Sequence, residues 1–369
     1  MVKKLLIVFM LIISMMFLIF GGKFVKDSGV FEPYPDAEYL TSEKVVSRPV
    51  YESLDKKEQA VYSALYNGVS EKKTEIPLPY EVSGDVYSKI YCIFEKQEGD
   101  FFYIDSTYYT AEKVRNAQIV MRENADEINQ KTAELEQSAE TALLDAPVTD
   151  DYEKALYIHD YIINACEYNV GEDYKYSSTA YGCLVEGMAN CEGYAKAFGY
   201  LAERMGLVSV LVTGKTDKGE NHAWNQVKIN GEWYNLDVTW DDMDIPQEAR
   251  KVYFLCNDET FSRTHISENT YFQPFECTAT KDNYYVRNGL FARNAEEADE
   301  IIRREIAEGN ARIDLKFADS DAYKSFKKEY IEGQLMFDIV LESGYTGDKQ
   351  ISVTLRETEE EYCLTLNFS

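Results

Sequence analysis

The sequence predicts an α+β fold whose central part contains an amphipathic helix followed by a β-hairpin. Apolar residues recur at helical spacing between Asn190 and Gly206, which indicates an amphipathic helix with a capping residue before it and a glycine stop after it. Asn230-Gly231 separates two runs rich in apolar residues and predicts a two-residue hairpin turn. Helical and alternating patterns continue on both sides of this core, so α+β regions are expected before and after it.

The region before the core is predicted to mix helices and strands. Ser53 is expected to cap a helix that runs to Gly68, and a long polar helix with a sparse apolar stripe is expected over 123–144. The other elements predicted there are a helix over 86–94, strands over 101–109 and 115–121, and a helix over 151–166.

The region after the predicted core helix is expected to be rich in strands. A strand over 207–212 precedes the hairpin, which is expected over 222–240, and a further strand is expected over 252–255. Beyond residue 281, the pattern predicts a helix over 295–306 and strands that begin near positions 313, 351 and 363.

Cys191 lies at the predicted start of the core helix. Asn190 is a good capping residue, so Cys191 falls in the first turn, where free N–H groups and the positive end of the helix dipole stabilise a thiolate. The same N–H groups could hold an oxyanion. Gly193 keeps the space beside the sulfur small. A cysteine in an apolar region is usually only part of the core, so the functional interpretation depends on partners elsewhere.

Those partners are predicted on the hairpin. If Ile229 faces Glu232 across the turn, then Trp224 faces Asp237, and His222 and Asp237 share one face of the sheet as diagonal neighbours. Such neighbours lie about 7–8 Å apart between Cα atoms, which long side chains can bridge. A cysteine, a histidine and a carboxylate are the nucleophile, base and orienting group of a thiol enzyme.

The motifs around these three residues resemble a known family. Cys191-Glu-Gly-Tyr-Ala, His222-Ala-Trp-Asn and Asp237-Val-Thr-Trp-Asp are similar to the transglutaminase-like superfamily of papain-type thiol enzymes, in an exported bacterial form with extra regions. The resemblance implies a catalytic helix packed on an antiparallel sheet and triad roles for Cys191, His222 and Asp237. Asn190, Gly193 and Trp224 are the candidates for the substrate pocket. Trp240 is expected on the opposite face, in the core.

Composition excludes several classes of function. The net charge is −27, from 65 acidic and 38 basic residues, which argues against nucleic acid or anionic lipid as partners, although most of this charge can be explained as a solvated acidic surface. The chain has no phosphate loop and no dinucleotide motif, so no cofactor is predicted. Three histidines and the lack of a Cys-x-x-Cys pair argue against a metal site.

The other cysteines are expected to be buried and unpaired. The chain has seven, an odd number whose spacing does not indicate a disulfide framework. Cys183 lies close to Cys191 in sequence, but it lacks the capping residue and the helix start, so we expect it in the core. His159 is expected to be a satisfied histidine of the core, and His265 is expected to make a local hydrogen bond.

The chain begins with a segment typical of export. Lys3 and Lys4 precede an uncharged, mainly apolar run from Leu5 to Phe20, which fits an uncleaved membrane anchor or a signal peptide. No small-x-small cleavage site follows, so we favour a single-pass anchor with the rest of the chain outside the cytoplasm. The predicted division is an anchor or signal sequence over 1–22, a linker over 23–50, an N-terminal α+β region over 51–146, the catalytic domain over 147–280 and a C-terminal α+β module over 281–369.

Together these observations predict an extracytoplasmic cysteine acyl-transfer enzyme. Water as the acyl acceptor would make it a peptidase or amidase that acts on a protein or on the peptide of peptidoglycan. Two alternatives stay open at this point. A lysine amine as acceptor would make it a protein cross-linking enzyme, and a silent triad would make it a surface binding or scaffold module.

Overall fold

A computed structural model describes residues 34–146, 150–169, 174–242, 250–268, 271–342, 353–358 and 361–368. The helices are α1 Ser42–Val45, α2 Pro49–Ser53, α3 Lys56–Ser70, α4 Gly84–Gln97, α5 Ala125–Leu143, α6 Asp151–Ala165, α7 Ala180–Leu184, α8 Cys191–Arg204, α9 Val238–Asp241, α10 Asp258–Phe261, α11 Tyr284–Arg287, α12 Ala295–Ala307, α13 Ser320–Phe326 and α14 Leu335–Glu342. The strands are β1 Glu75–Ser83, β2 Ile104–Tyr108, β3 Lys113–Met121, β4 Glu167–Tyr168, β5 Met188–Ala189, β6 Val208–Thr216, β7 Asn221–Ile229, β8 Glu232–Leu236, β9 His265–Ser267, β10 Phe291–Ala292, β11 Arg312–Phe317, β12 Val353–Thr358 and β13 Cys363–Phe368.

The N-terminal region is a three-stranded antiparallel sheet with helices packed against it. Its strand order is β1-β3-β2, and α3 packs on β1. Strand β1 was not predicted, because Pro77 and Pro79 interrupt its pattern, and prolines are typical of sheet edges, where β1 lies. The prediction that Ser53 caps the first long helix was wrong. Asp55 caps α3 and forms a capping box with Glu58, since its side chain accepts from the backbone of Lys57 and Glu58.

The central region is a four-stranded antiparallel sheet with α8 packed against it. The strand order is β8-β7-β6-β9, and α8 contacts β6 and β7. Asn230 and Gly231 both have positive φ, 52° and 90°, as a type I′ turn requires, and Ile229 pairs with Glu232. The predicted hairpin turn and its register are therefore confirmed.

The predicted bounds of α8 are also confirmed. The side chain of Asn190 caps its start, and Gly206 follows its end with a φ of +74°. Tyr194, Phe198 and Leu201 are fully buried on one face of the helix. This face fixes the helix on the sheet and so fixes the position of its first residue, Cys191.

The strand predicted over 252–255 does not form. These residues are buried, but they make turns that end in a single bridge between Cys256 and Asn235. Leu255 has a φ of 53°, which no strand residue adopts. A short apolar run predicts a strand, but such a run does not distinguish a buried strand from a buried turn.

The C-terminal module is a four-stranded sheet covered by helices. The strand order is β10-β11-β13-β12, with β10 parallel to β11 and the other pairs antiparallel. The predicted helix and strands in this module are present as α12, β11, β12 and β13, while α13 and α14 were not predicted. Overall the fold is α+β, as the sequence predicted.

None of the helices within the described ranges has the length and apolar character needed to cross a membrane. The predicted anchor over Leu5 to Phe20 lies outside those ranges. The boundaries between the five predicted regions remain predictions.

Candidate active site

The first turn of α8 presents Cys191 to a surface cleft. The Oδ1 atom of Asn190 accepts the N–H groups of Glu192 and Gly193 at 3.1 and 3.2 Å. Those two donors, which were expected to be free for an oxyanion, are therefore engaged by the cap. The N–H of Cys191 occupies the first helical position, where no acceptor exists within the helix, so it is the N–H of this turn that best suits an oxyanion.

His222 and Asp237 meet beneath the same cleft. The Nε2–H of His222 donates to Asp237 Oδ2 at 2.6 Å, and both side chains are buried. The paired part of the hairpin ends at Asn225 and Leu236, so Asp237 does not face Trp224 across a ladder as predicted. Instead Asp237 is the cap of α9, and its Oδ1 accepts the N–H groups of Thr239 and Trp240 at 2.9 and 3.2 Å.

His222 and Asp237 each stabilise the charged form of the other. Burial opposes the protonation of His222, but the Asp237 carboxylate and a hydrogen bond with Cys191 outweigh it and raise the pKa of His222 to about 10. Burial likewise opposes ionisation of Asp237, yet the two neighbouring imidazoles, His222 first, hold the pKa of that carboxyl well below its usual range. At neutral pH the arrangement is an imidazolium between a carboxylate and a sulfur.

His265 is a second imidazole on the same carboxylate. Its Nε2 lies 3.0 Å from Asp237 Oδ2, and its ring stacks on Phe261 with centroids 3.9 Å apart. Burial lowers the pKa of His265, against the pull of Asp237, and so favours the neutral ring. Sequence reasoning expected only a local hydrogen bond here. The only signal was that the chain has three histidines, and no pattern connects position 265 with position 237.

Two tryptophans enclose the His222 ring. The ring of Trp224 lies 6.2 Å from that of His222 between centroids, and the ring of Trp240 lies 5.4 Å away. Trp240 was expected on the opposite face of the sheet. It reaches His222 because β8 ends at Leu236 and α9 turns the chain back, so the two-residue alternation no longer applies. These rings shield the His222–Asp237 hydrogen bond from water.

The cleft has a volume of about 710 Å³ and a lining that is part polar and part apolar. Cys191 and His222 lie in its wall together with Asn190, and its rim includes Tyr168 and Tyr271. Of the three candidates for the substrate pocket, Asn190 lines the cleft, whereas Gly193 and Trp224 are buried behind it.

A steric constraint explains why position 193 is a glycine. A Cβ at this position would lie 2.3 Å from the backbone oxygen of Ser177 and 2.7 Å from the Cβ of Ala189. Both distances are shorter than any contact a side chain tolerates, so only glycine lets the helix start approach the loop of Ser177. That close approach sets the position of Cys191.

The charge of Glu192, next to Cys191, is neutralised. Its carboxylate pairs with Lys96 at 2.7 Å and with Lys196 at 2.9 Å, and Lys196 also pairs with Glu95 at 2.6 Å. An unpaired carboxylate beside the sulfur would disfavour a thiolate. The N-terminal region, which supplies Lys96 and Glu95, therefore contributes to the electrostatics of the site.

The remaining cysteines do not share this setting. All seven cysteines lie in described parts of the chain, and none forms a disulfide. Cys183 is fully buried, and burial raises its pKa well above the usual value. A buried thiol of this kind is inert.

His222, Asp237 and His265 are also close enough to be considered as metal ligands, since their ligand atoms all lie within 4.8 Å of one another. The hydrogen bonds argue against that use. Asp237 Oδ2 lies 2.6 and 3.0 Å from the two Nε2 atoms, distances at which each ring donates an N–H to the carboxylate. A cation would have to displace both protons.

Comparison with known proteins identifies a family for the central part of the chain. Residues 139–238 match the Transglutaminase-like superfamily. Kyphoscoliosis peptidase of Mus musculus is 28% identical over 144 residues, which are 33% of this chain and 22% of that protein. The chain thus covers well under half of that relative.

Two solved structures are similar over a minority of each chain. A structure of a TGase has a TM-score of 0.29 and 12% identity, over 39% of this chain and 46% of that chain. A candidate cysteine protease from Cytophaga hutchinsonii has a TM-score of 0.26 and 23% identity, over 28% of this chain and 37% of that chain.

Proposed function

We propose that the chain is a cysteine peptidase or amidase, because residues 139–238 match the transglutaminase-like superfamily. The proposed triad is Cys191, His222 and Asp237. The observation that carries the proposal is the hydrogen bond of 2.6 Å between His222 Nε2 and Asp237 Oδ2, directly behind a cleft that Cys191 and His222 line together.

The proposed first step is attack on an amide. With Nε2 engaged by Asp237, Nδ1 of His222 is the nitrogen available to Cys191. The Cys191 thiolate attacks the carbonyl carbon of the substrate, and the Cys191 N–H stabilises the oxygen that becomes negative. When the C–N bond breaks, the imidazolium gives its proton to the leaving amine, and a thioester to Cys191 remains.

The second step releases the acyl group. Neutral His222 takes a proton from water, and the resulting hydroxide attacks the thioester carbonyl and expels the thiolate. The acid product leaves, and the proton stays on His222. Asp237 fixes the ring orientation throughout and stabilises the imidazolium whenever it forms.

The size of the cleft favours water as the acceptor. A surface cleft of about 710 Å³ whose lining is partly polar admits water, whereas selective transfer to an amine requires that water be kept out. We therefore propose hydrolysis of amide bonds in a protein or in the peptide of peptidoglycan. Cross-linking of proteins through lysine is the second candidate, and a silent binding module is the third.

We also propose that the catalytic region acts outside the cytoplasm. The support for this location is the pair Lys3 and Lys4 followed by the uncharged run from Leu5 to Phe20.

One experiment separates the three candidates. The purified chain is incubated with casein and with peptidoglycan peptides, with and without a fluorescent primary amine. New amino termini that are lost in Cys191→Ala support hydrolysis, and amine incorporation at glutamine supports cross-linking. No turnover, together with no acyl-enzyme mass on the intact protein, would leave the binding module as the remaining function.

A further inference from the structure

The hydrogen bonds of the site continue past Asp237 into the C-terminal module. Nδ1 of His265 lies 2.9 Å from Thr264 Oγ1, and that hydroxyl lies 3.2 Å from Glu361 Oε1. Glu361 lies two residues before the start of β13 and is buried. Its other carboxylate oxygen lies 3.7 Å from Nζ of Lys316 in β11. A continuous buried path therefore connects His222 to the C-terminal sheet.

The module is fixed to the catalytic domain at this point by contacts other than the Thr264 hydrogen bond. Nζ of Lys316 donates to the backbone oxygen of Val252 at 3.2 Å. The guanidinium of Arg263 lies 4.8 Å from the centre of the Tyr362 ring. These contacts seat residues 361 and 362 against the turn that carries Thr264.

The backbone of Tyr362, which follows Glu361, has an unusual conformation. Its φ is 52°, in the left-handed region that a bulky residue rarely adopts. Such a conformation persists only where its surroundings enforce it, and it is found preferentially at functional positions. Here it lies between Glu361, which turns toward Thr264, and Cys363, which starts the strand.

The position of the N–H proton on His265 determines which groups along this path donate hydrogen bonds and which accept them. A neutral imidazole has one N–H, and on His265 this must be at Nε2, because a bare nitrogen would face the Asp237 carboxylate with a lone pair. Nδ1 is then an acceptor that competes with Glu361 for the one proton of the Thr264 hydroxyl, which lies 2.9 Å from Nδ1 and 3.2 Å from Glu361 Oε1. Thr264 lies between two acceptors, Nδ1 and Glu361, so the position of Glu361 fixes where the hydroxyl lies.

We propose that Glu361 is a positioning residue that acts through Thr264 and His265 on the Asp237 carboxylate, so that the C-terminal module supplies part of the catalytic apparatus. The inference rests on the proposed function insofar as it concerns turnover. The geometry of His222 and His265, however, can be tested without any substrate.

The test uses the full chain with two sets of variants. Thr264→Val removes the hydroxyl at constant shape, Thr264→Ser keeps it, and Glu361→Gln removes the charge. Thr365→Val is the matched control, because the Thr365 hydroxyl also bonds a carboxylate in this module, that of Asp314 at 2.5 Å, without contact to Thr264.

The first readout is the ¹⁵N spectrum of the three histidine rings, which does not depend on activity. We expect Thr264→Val and Glu361→Gln to shift the ring signals of His265 and His222 and to leave that of His159 in place. Thr264→Ser and Thr365→Val should shift none of them. An unmoved His222 signal in Thr264→Val would overturn the inference even if the protein never turned over a substrate.

The second readout is kinetic. Thr264→Val should lower kcat roughly tenfold, as the loss of a buried hydrogen bond does, with KM little changed, and Thr264→Ser should restore it. If Thr264→Val does not fold, Glu361→Gln tests the proposal instead. A wild-type kcat together with wild-type histidine ring signals in Glu361→Gln would contradict it. A wild-type protein that is inert toward all amides refutes the proposed function alone, since the ring signals still decide this inference.

Discussion

His222 Nε2 and Asp237 Oδ2 lie 2.6 Å apart, although Asp237 lies one residue beyond the last paired residue of its strand. Asp237 can reach His222 because it has left the ladder and caps α9. Its two oxygens together face four N–H groups, those of His222, His265, Thr239 and Trp240.

This count predicts the effect of Asp237→Asn. An asparagine has one acceptor oxygen, so its NH₂ must face either the two imidazoles or the two backbone donors. We expect kcat to fall by a factor of roughly 10² or more, and stability to fall by about 1–3 kcal/mol for the donors left without an acceptor. Steady-state kinetics and urea unfolding measure the two effects, and wild-type values for both would contradict the hydrogen-bond assignment.

The second prediction concerns the reactivity of Cys191. Its position beside an imidazolium should make it react with iodoacetamide faster than any of the six other thiols, and already below pH 7. Peptide mass mapping after short labelling measures this. Cys183→Ala is the control and should leave the labelling unchanged. Equal labelling of Cys183 and Cys191 in the folded protein would count against the thiolate.

The third prediction concerns the loss of amide turnover at high pH. The leaving amine needs the proton of His222, whose pKa is raised to about 10 by Asp237. Because the folded pKa lies above the ordinary value, the protonated form is complete near pH 7 and is lost as the pH rises through about 10. Amide turnover should therefore decline near pH 10, while iodoacetamide labelling should not, since alkylation needs no proton donor. A decline of turnover near pH 7 would show that His222 is not coupled to Asp237.

The fourth prediction compares two glycines of α8. In Gly193→Ala the new Cβ meets the backbone of Ser177 at 2.3 Å, so we expect a loss of about 1–3 kcal/mol in unfolding free energy and a slower reaction of Cys191 with iodoacetamide. Gly199→Ala, which meets nothing within 4 Å, should be neutral or should gain up to about 1 kcal/mol from helix propensity. Thermal unfolding and the labelling rate test both. Equal behaviour of the two variants would show that the helix start can shift without cost.

The fifth prediction concerns location. If the run from Leu5 to Phe20 anchors the chain, protease added to intact cells should digest the catalytic region, and the full-length mass should stay with the membrane fraction. A soluble mature form in the medium that begins near Gly22 would show a cleaved signal peptide instead. Protection of the whole chain inside the cell would overturn the location.

The helix start and the hairpin register could be predicted from sequence because both depend on neighbouring residues. Asn190 caps its own helix, and Asn230-Gly231 sets its own turn, so local chemistry is sufficient in each case. The end of β8 could not be predicted. The alternation of side chains gives no sign that Leu236 is the last paired residue, and both the route to His222 and the place of Trp240 depend on that end.

The contribution of His265 was beyond sequence reasoning for a different reason. It reaches Asp237 because β9 pairs with the edge of β6, a contact between distant segments that no local pattern encodes. Glu361 is even more distant from Asp237 in the sequence than His265 is, and its position depends on the packing of the whole C-terminal module.

The order of strands in the C-terminal sheet has a consequence for biosynthesis. Strand β13 lies between β11 and β12, so during translation β11 and β12 emerge from the ribosome before the strand that joins them exists. Until residues 363–368 have been made, both strands have an open edge, and Lys316 lacks Glu361. The central hairpin can fold long before that moment, because its pairing is local. In a newly made chain the hairpin that carries His222 can therefore form while His265 still lacks its full support, and the path from Asp237 to Glu361 is complete only after the module closes.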